Sequence, residues 1–408
     1  MTSDPVSESG EQTVSAELLA KPKDPSVYVC RMAVLTLRLP EAVEHSYGSP
    51  EMSKLASEAD ARLRKALDAD ARVIEVEPPG DNGIANAATY YFTSTDQEQS
   101  DLAEATGGYQ VLRLDGILYF RVRVPIKNQP LYRNISDVPT DEYLVAWDGI
   151  SLAVQWRQDK LSPTGSGGHV VFDVLKDVAA EAGYTAENIA CTASCLHEFV
   201  HAELVTVADS PPDQLRTIGR TTIGPVCILP FSMQGTDLEN LQRIERMVSY
   251  SLNYYARGRN REDAIHFLEQ RARDDAAEVL YLSYERAARR RWPNPAVLLD
   301  LWRLRGSRFR TRKLLAGLWL ALALVDSHRR NWAEADEFLA ETIADNGLEL
   351  LADSLEIDRG VKDLDLSIVR STIERTATHL ESRLVVLATF AGAVAALAGA
   401  GLTVLLTK

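Results

Sequence analysis

The segment from residue 384 to residue 406 constrains this 408-residue chain more than any other part of it. It reads LVVLATFAGAVAALAGAGLTVLL, which is 23 residues without a charge. At about 1.5 Å per residue such a helix is about 34 Å long, enough to cross a hydrocarbon core of about 30 Å. A helix that is apolar on every face is difficult to bury in a small domain. The sequence therefore predicts one C-terminal transmembrane helix, 384–406, and a protein held at the cell membrane.

The charges that flank this segment predict its orientation. Arg370, Arg375 and Arg383 precede it, and Lys408 follows it. By the positive-inside rule, the part of the chain before the span is expected in the cytoplasm. Residues 1–25 have neither the apolar core of a signal peptide nor the Arg-rich pattern of a transit peptide, so we expect a disordered N-terminus.

The apolar patterning predicts an α+β fold. Residues 26–210 alternate strand-like and helix-like stretches, which is typical of a mixed α/β domain. Residues 211–236 contain four prolines and are predicted to be a linker. Residues 237–382 have helical patterning, and we expect a helical, stalk-like domain there. The net charge of −14 does not favour general nucleic-acid binding.

Two local patterns are clear within the first domain. The stretch EYLVAWDGISLAVQW predicts a β-hairpin with a tight turn at Asp148–Gly149. A glycine-rich loop at 165–168 precedes a helix predicted from His169 to Ala182, which Gly183 is expected to end. The loop lacks the lysine of a P-loop and the spacing of a dinucleotide site, so it is either an anion seat or an ordinary connector.

The sequence His197-Glu198-Phe199-Val200-His201 matches the pattern H-E-x-x-H. On a helix, two histidines four residues apart lie on one face and can bind one zinc ion, and the glutamate can act as general base. The pattern resembles that of the zincin metalloproteases over these five residues. The resemblance implies a zinc enzyme with His197 and His201 as ligands and Glu198 as the catalytic residue.

The surroundings of this motif leave the assignment open. An apolar stripe with helical spacing consists of Ile189, Ala193, Leu196, Val200 and Leu204. However, Glu203 stands where the zincins usually have an apolar residue. The third ligand is unassigned, with Glu239 and Glu245 as candidates by distance alone.

Two cysteines extend the motif to C-x3-C-x-H-x3-H, formed by Cys191, Cys195, His197 and His201. One continuous helix would place the cysteines and the histidines on different faces, so a structural zinc site requires a turned chain. The remaining interpretation is a buried segment with small core-filling cysteines. Zinc is thus a candidate cofactor in two of three interpretations.

A basic cluster lies between residues 286 and 313, with ten Lys or Arg residues and one acid, Asp300. Its members are Arg286, Arg289, Arg290, Arg291, Arg303, Arg305, Arg308, Arg310, Arg312 and Lys313. Three kinds of partner remain open for this cluster: acidic residues of the same chain, membrane lipid headgroups, and a nucleotide or nucleic acid. The last of these is not favoured.

Small residues recur every four positions within the apolar segment, at Ala388, Gly392, Ala396 and Ala400. Such a face allows two helices to approach closely in lipid. It predicts a homo-oligomer that assembles through the transmembrane helix.

The helical sequence LDLSIVRSTIERTATHLESR runs directly into the apolar segment. Over the last third of the chain, this arrangement resembles the stalk and membrane region of CorA-type magnesium channels. The resemblance implies an oligomeric stalk on a membrane. Magnesium transport is not implied, because the Gly-Met-Asn signature is absent from the sequence and one span replaces two.

Together these patterns favour a tail-anchored membrane protein with a cytoplasmic sensor, effector or scaffold region that self-associates. The alternative is a membrane-tethered zinc metalloprotease that uses the H-E-x-x-H motif.

Overall fold

The structure of the chain is a computed structural model. It describes residues 27–41, 43, 49–78, 87–93, 108–129, 138–158, 167–189, 197–208, 211–221, 224–232, 235–289 and 297–377. The predictions for the N-terminus, 1–25, and for the transmembrane helix, 384–406, lie outside these residues.

Over these described ranges, the centre of the fold is a mixed sheet of eleven strands. In chain order the strands are β1 Val27–Arg38, β2 Val73–Val76, β3 Ala88–Thr93, β4 Gly108–Arg113, β5 Leu118–Arg123, β6 Glu142–Trp147, β7 Ser151–Gln158, β8 Thr185–Asn188, β9 Glu203–Val207, β10 Arg216–Arg220 and β11 Pro225–Ile228. The main path through the sheet is β10-β11-β9-β1-β7-β6-β5-β2, and β9 and β11 are parallel neighbours.

The long strand β1 organises this sheet by pairing through both of its halves. Its first half, Val27–Val34, pairs antiparallel with β7, and over Val27–Arg31 it also pairs with β9. Its second half, Leu35–Arg38, pairs with β8, and its end also pairs with β4. The apolar run of this strand is therefore buried along almost its whole length.

Helices cover both faces of the sheet. They are α1 Pro50–Ala69, α2 Val170–Glu181, α3 Asp237–Arg289, α4 Val297–Asp345 and α5 Ser367–Ala377. Short 3-10 helices cover Ile126–Asn128 and Glu349–Leu355.

Alternation along β1 decides which residues meet which helices, because successive side chains of a strand point to opposite faces. Cys30, Met32 and Val34 belong to the core shared with α3 and α4. Val29 and Leu35 belong to the core shared with α1 and α2. The residues that the structure describes thus form two apolar cores, one on each face of the sheet.

The structure shows the predicted combination of a sheet and a helical region, and it differs from the expected boundaries. Residues 211–236, predicted as a linker, contain β10 and β11, and β11 pairs with β9. Pro225 is the first residue of β11, a position where a proline removes no ladder hydrogen bond. The helical region is also not set apart from the sheet, because α3 shares a core with it.

The helices α3 and α4 form a long antiparallel hairpin, with 53 and 49 residues respectively. Tyr254 stacks on Phe338 with ring centroids 5.3 Å apart, and Arg310 forms an ion pair with Glu278 much further along the hairpin. The end of the hairpin remote from the sheet lies where α3 ends and α4 begins. In the part of the chain that the structure describes, no helix is both long and apolar enough to cross a bilayer.

The local predictions in the first domain agree with the structure. Strands β6 and β7 form the hairpin, with Asp148–Ile150 as the loop between them and Gly149 at φ +89°. Helix α2 begins one residue after His169 and is followed by Gly183 at φ +87°. The left-handed conformation at both positions is one that glycine adopts without steric cost.

Candidate functional site

The H-E-x-x-H stretch does not form a helix over its described residues. Residues 197–202 are irregular, and the chain then enters β9 at Glu203. Val200 donates its backbone N–H to the carbonyl of Met32, which ties the stretch to β1 at 2.7 Å. The helical placement that the zincin resemblance implies is therefore not present at His197–His201.

The alternation of buried residues explains this difference. Val200, Ala202 and Leu204 contribute to one core, whereas Phe199 and Val205 contribute to the other. This is the two-residue period of an extended chain between two layers. Apolar residues on both faces produced the helical stripe seen in the sequence.

The glycine-rich loop and the H-E-x-x-H stretch meet in space. His169, at the start of α2, approaches Glu198, with its Nδ1 atom 3.1 Å from Oε2 of the carboxylate. Lys176, on the next turns of α2, donates from Nζ to Oε1 of Glu198 at 3.1 Å. Gly168, at φ +87°, lies against the ring of Phe199. Two stretches about 30 residues apart in the sequence thus form one site.

The charges around Glu198 keep it ionised. Burial alone would raise the pKa of Glu198, but the hydrogen bonds from His169 and Lys176 lower it below its ordinary value. Both carboxylate oxygens are engaged with α2. The carboxylate therefore connects α2 to the chain before β9, which is a positioning role.

Three imidazoles lie near one another in this site. The ring of His197 is 4.8 Å from that of His169 and 5.9 Å from that of His201, measured between centroids. Burial, and then the neighbouring His169 and Arg31, lower the pKa of His197 to about 3. Burial also lowers the pKa of His169 and of His201. At neutral pH these rings are uncharged, the form in which imidazole binds metals.

Metal binding is nevertheless not supported by the described residues. Among them, no group of three or more His, Cys, Asp or Glu side chains is arranged to hold a metal ion. Cys191 and Cys195 lie outside the described residues. A zinc site at this position would depend on those two cysteines.

The two candidates for a third zinc ligand have other roles. Glu239 lies in the first turn of α3, where its carboxylate accepts the backbone N–H of Thr236 at 2.9 Å. The hydroxyl of Thr236 accepts the N–H of Glu239 in return, which completes a capping box. Glu245 is buried between α3 and the sheet, near Asp148. Among the described residues, neither carboxylate belongs to a group that could hold a metal ion with His197 and His201.

A buried ion pair lies close enough to the histidines for its arginine to lower the pKa of His169 and of His197. Arg31 of β1 donates from Nε to Oε1 of Glu203 on β9 at 3.0 Å, and from Nη1 to the carbonyl of Gly167 at 2.9 Å. The guanidinium also lies 5.6 Å from the ring centre of Phe199. Arg31 thereby joins β1, β9 and the glycine-rich loop.

Sequence reasoning did not identify Arg31, Lys176 or His169 as parts of this site. A signal was present for Arg31, which is the single charge in the apolar stretch VYVCRMAVL, residues 27–35, and requires a buried partner. Glu203, noted as unusual for a zincin, is that partner. Lys176 carried no signal, because its contact with Glu198 depends on tertiary packing.

The basic cluster is described only at its end. Arg310 forms an ion pair with Glu278, and Arg312 and Lys313 have exposed side chains. The side chains of seven members are outside the described residues: Arg286, Arg289, Arg290, Arg291, Arg303, Arg305 and Arg308. The four small residues of the apolar segment are outside them as well: Ala388, Gly392, Ala396 and Ala400.

Comparisons with protein-family profiles, with curated proteins and with solved structures give no match for this chain. They therefore support neither the resemblance to the CorA-type channels nor that to the zincins.

Proposed function

We propose that this protein is a sensor or effector tethered to the cytoplasmic face of a membrane by the segment 384–406. The observation that carries this proposal is the run of 23 uncharged residues in that segment. A run of this length is typical of a transmembrane helix. The described part of the chain, by contrast, has no helix of this kind.

The position of the last described helix supports the same proposal. Helix α5 is described to Ala377, and the apolar segment begins seven residues later in the sequence. Val369 and Ile373 are buried and belong to the core that α3 and α4 share with the sheet. A span at 384–406 would therefore hold the folded part close to the bilayer through a firmly packed helix.

A sensor or effector is favoured over the metalloprotease by the geometry at Glu198. A zincin base faces a water molecule on the metal. Here both oxygens of Glu198 contact His169 and Lys176 on α2. The turned chain at His197 and His201 is the form that a structural zinc site requires, so this role is the second candidate for the cysteines and histidines.

The tether is tested by placing charge within the span of the full chain. Val394→Arg with Leu397→Arg introduces two charges near the middle of the segment, each costing about 2.5–3.5 kcal/mol at a bilayer centre. The wild-type chain should stay in membranes during alkaline carbonate extraction, and the double variant should be extracted. Extraction of the wild-type chain, or equal retention of both chains, would overturn the proposal.

A further inference from the structure

Exposed aromatic side chains gather at the end of the α3–α4 hairpin remote from the sheet. Tyr281 and Tyr284 on α3 are 65% and 73% exposed, and Phe309 on α4 is 72% exposed. Large aromatic side chains are seldom left in water to this extent, and a group of them marks a contact surface. We call Tyr281, Tyr284, Phe309, Arg310, Arg312 and Lys313 the tip surface.

The charge of this end of the hairpin is strongly positive. Arg310, Arg312 and Lys313 follow Phe309 directly and have exposed side chains. Between residues 278 and 313 the sequence has ten basic residues and three acids, within a chain of net charge −14. Glu278 pairs with Arg310, and the sequence of this segment still has seven more basic than acidic residues.

The chain after the hairpin runs toward this same end. Ile357 accepts a hydrogen bond from the indole of Trp332, and Val361 accepts one from Arg329. Further along, Asp365 accepts one from Arg273. The hairpin residues contacted in turn, Trp332, Arg329 and Arg273, lie progressively closer to the end of the hairpin that carries the tip surface. Helix α5 then starts at Ser367, two residues after the contact of Asp365 with Arg273.

We propose that the tip surface rests on the anionic headgroup layer of the membrane. Tyrosine is enriched at the interface of a bilayer because its ring is apolar and its hydroxyl is polar. Lysine and arginine beside it gain from the negative surface potential of the cytoplasmic leaflet. The inference rests on the proposed tether, which would bring this end of the hairpin to the bilayer.

The contact is tested with tryptophan at position 309 in the full chain. Phe309→Trp is reconstituted into phosphatidylcholine vesicles with brominated acyl chains, with and without one quarter phosphatidylglycerol. Phe338→Trp is the matched control, since Phe338 lies on the same helix about 44 Å away at 1.5 Å per residue and is 39% exposed. The wild-type chain, with six tryptophans, gives the background.

Bromine should quench the fluorescence of residue 309 several-fold more than that of residue 338, and only when phosphatidylglycerol is present. Arg312→Glu with Lys313→Glu should remove the difference, because each basic residue near an anionic surface contributes a factor of about five. Lys65→Glu with Arg330→Glu makes the same change of charge away from the tip surface. This control should leave the difference in quenching unchanged.

Equal quenching at positions 309 and 338, in a chain that resists carbonate extraction, would overturn this inference while the tether stands. Release of the chain by carbonate, with quenching at position 309 that high salt abolishes, would overturn the tether and leave the tip surface as the only contact.

Discussion

Arg31 and Glu203 form a buried ion pair across the neighbouring strands β1 and β9, with Nε and Oε1 3.0 Å apart. Their side chains are 1% and 3% exposed. The pair lies where the H-E-x-x-H stretch enters the sheet, and its arginine also holds the carbonyl of Gly167. It therefore fixes the backbone on which His169, His197 and Glu198 are placed.

Removing one partner of this pair should be strongly destabilising. Glu203→Gln or Arg31→Met leaves a buried charge without its counter-ion, which costs roughly 3–5 kcal/mol. The double variant Arg31→Met with Glu203→Leu should recover most of that loss. Urea denaturation of the wild type, the two single variants and the double variant measures these free energies of unfolding. The control is Glu58→Gln, which removes the exposed pair Lys54–Glu58 and should change the free energy of unfolding by less than about 0.5 kcal/mol. If the single variants lose no more free energy of unfolding than the control does, this role of the ion pair is contradicted.

Glu245 should make the stability of the protein depend on pH. Burial, and then the charge of Asp148, raise the pKa of Glu245 from 4.5 to about 7. Between these two pKa values, the folded chain binds more protons at Glu245 than the unfolded chain does. The stabilisation that comes from protonated Glu245 is therefore complete below about pH 4.5 and is lost as the pH rises through about 7.

The loss across this window should be up to about 3 kcal/mol in the free energy of unfolding. Glu245→Gln cannot ionise and should remove this slope, so it should be more stable than the wild type above pH 7. Denaturation midpoints measured between pH 5 and pH 8 give the difference. Parallel curves for the two chains would show that Glu245 does not titrate in this range.

Metal analysis of the purified full chain separates the interpretations of residues 191–201. We expect less than one zinc per chain. Glu198→Gln should cost about 1–2 kcal/mol of stability, because it weakens the contacts with His169 and Lys176. Stoichiometric zinc that Cys191→Ser releases would establish a structural site. Zinc retained in Glu198→Gln, with loss of a proteolytic activity, would establish the zincin.

The sequence was sufficient where local patterns decide the structure. Asp148 and Gly149 predicted the β6–β7 hairpin, and Gly183 marked the end of α2, because turn chemistry and helix caps act within a few residues. Strand β10, which reads RTIGR and is exposed throughout, has no apolar alternation that could identify it. Its place in the sheet depends on pairing with β11, which is a tertiary contact.

The candidate site was predictable only in part for the same reason. Glu198 and the two histidines were identified from spacing, but spacing cannot distinguish a helix from a strand that has apolar residues on both faces. The contact of Glu198 with Lys176 joins residues 22 positions apart through the packing of α2. Such contacts follow from the fold and leave no pattern in the sequence.

Self-association should depend on the small-residue face of the apolar segment. Gly392→Leu with Ala396→Leu places bulk where two helices would approach closely, so it should reduce oligomers of the full chain in mild detergent. Chemical cross-linking detects the change. Val394→Leu, on the opposite side of a helix with 3.6 residues per turn, is the control. Unchanged cross-linking of the double variant would place the interface outside this face.

The most direct test of the account is membrane fractionation of a chain that lacks residues 384–408. If these residues hold the protein at the bilayer, the shortened chain should appear in the soluble fraction after a wash in about 1 M salt, which screens contacts beyond about 3 Å. In low salt, a fraction should remain bound through the tip surface. A shortened chain that stays in the membrane pellet at high salt would contradict the central claim, because another segment would then be the anchor.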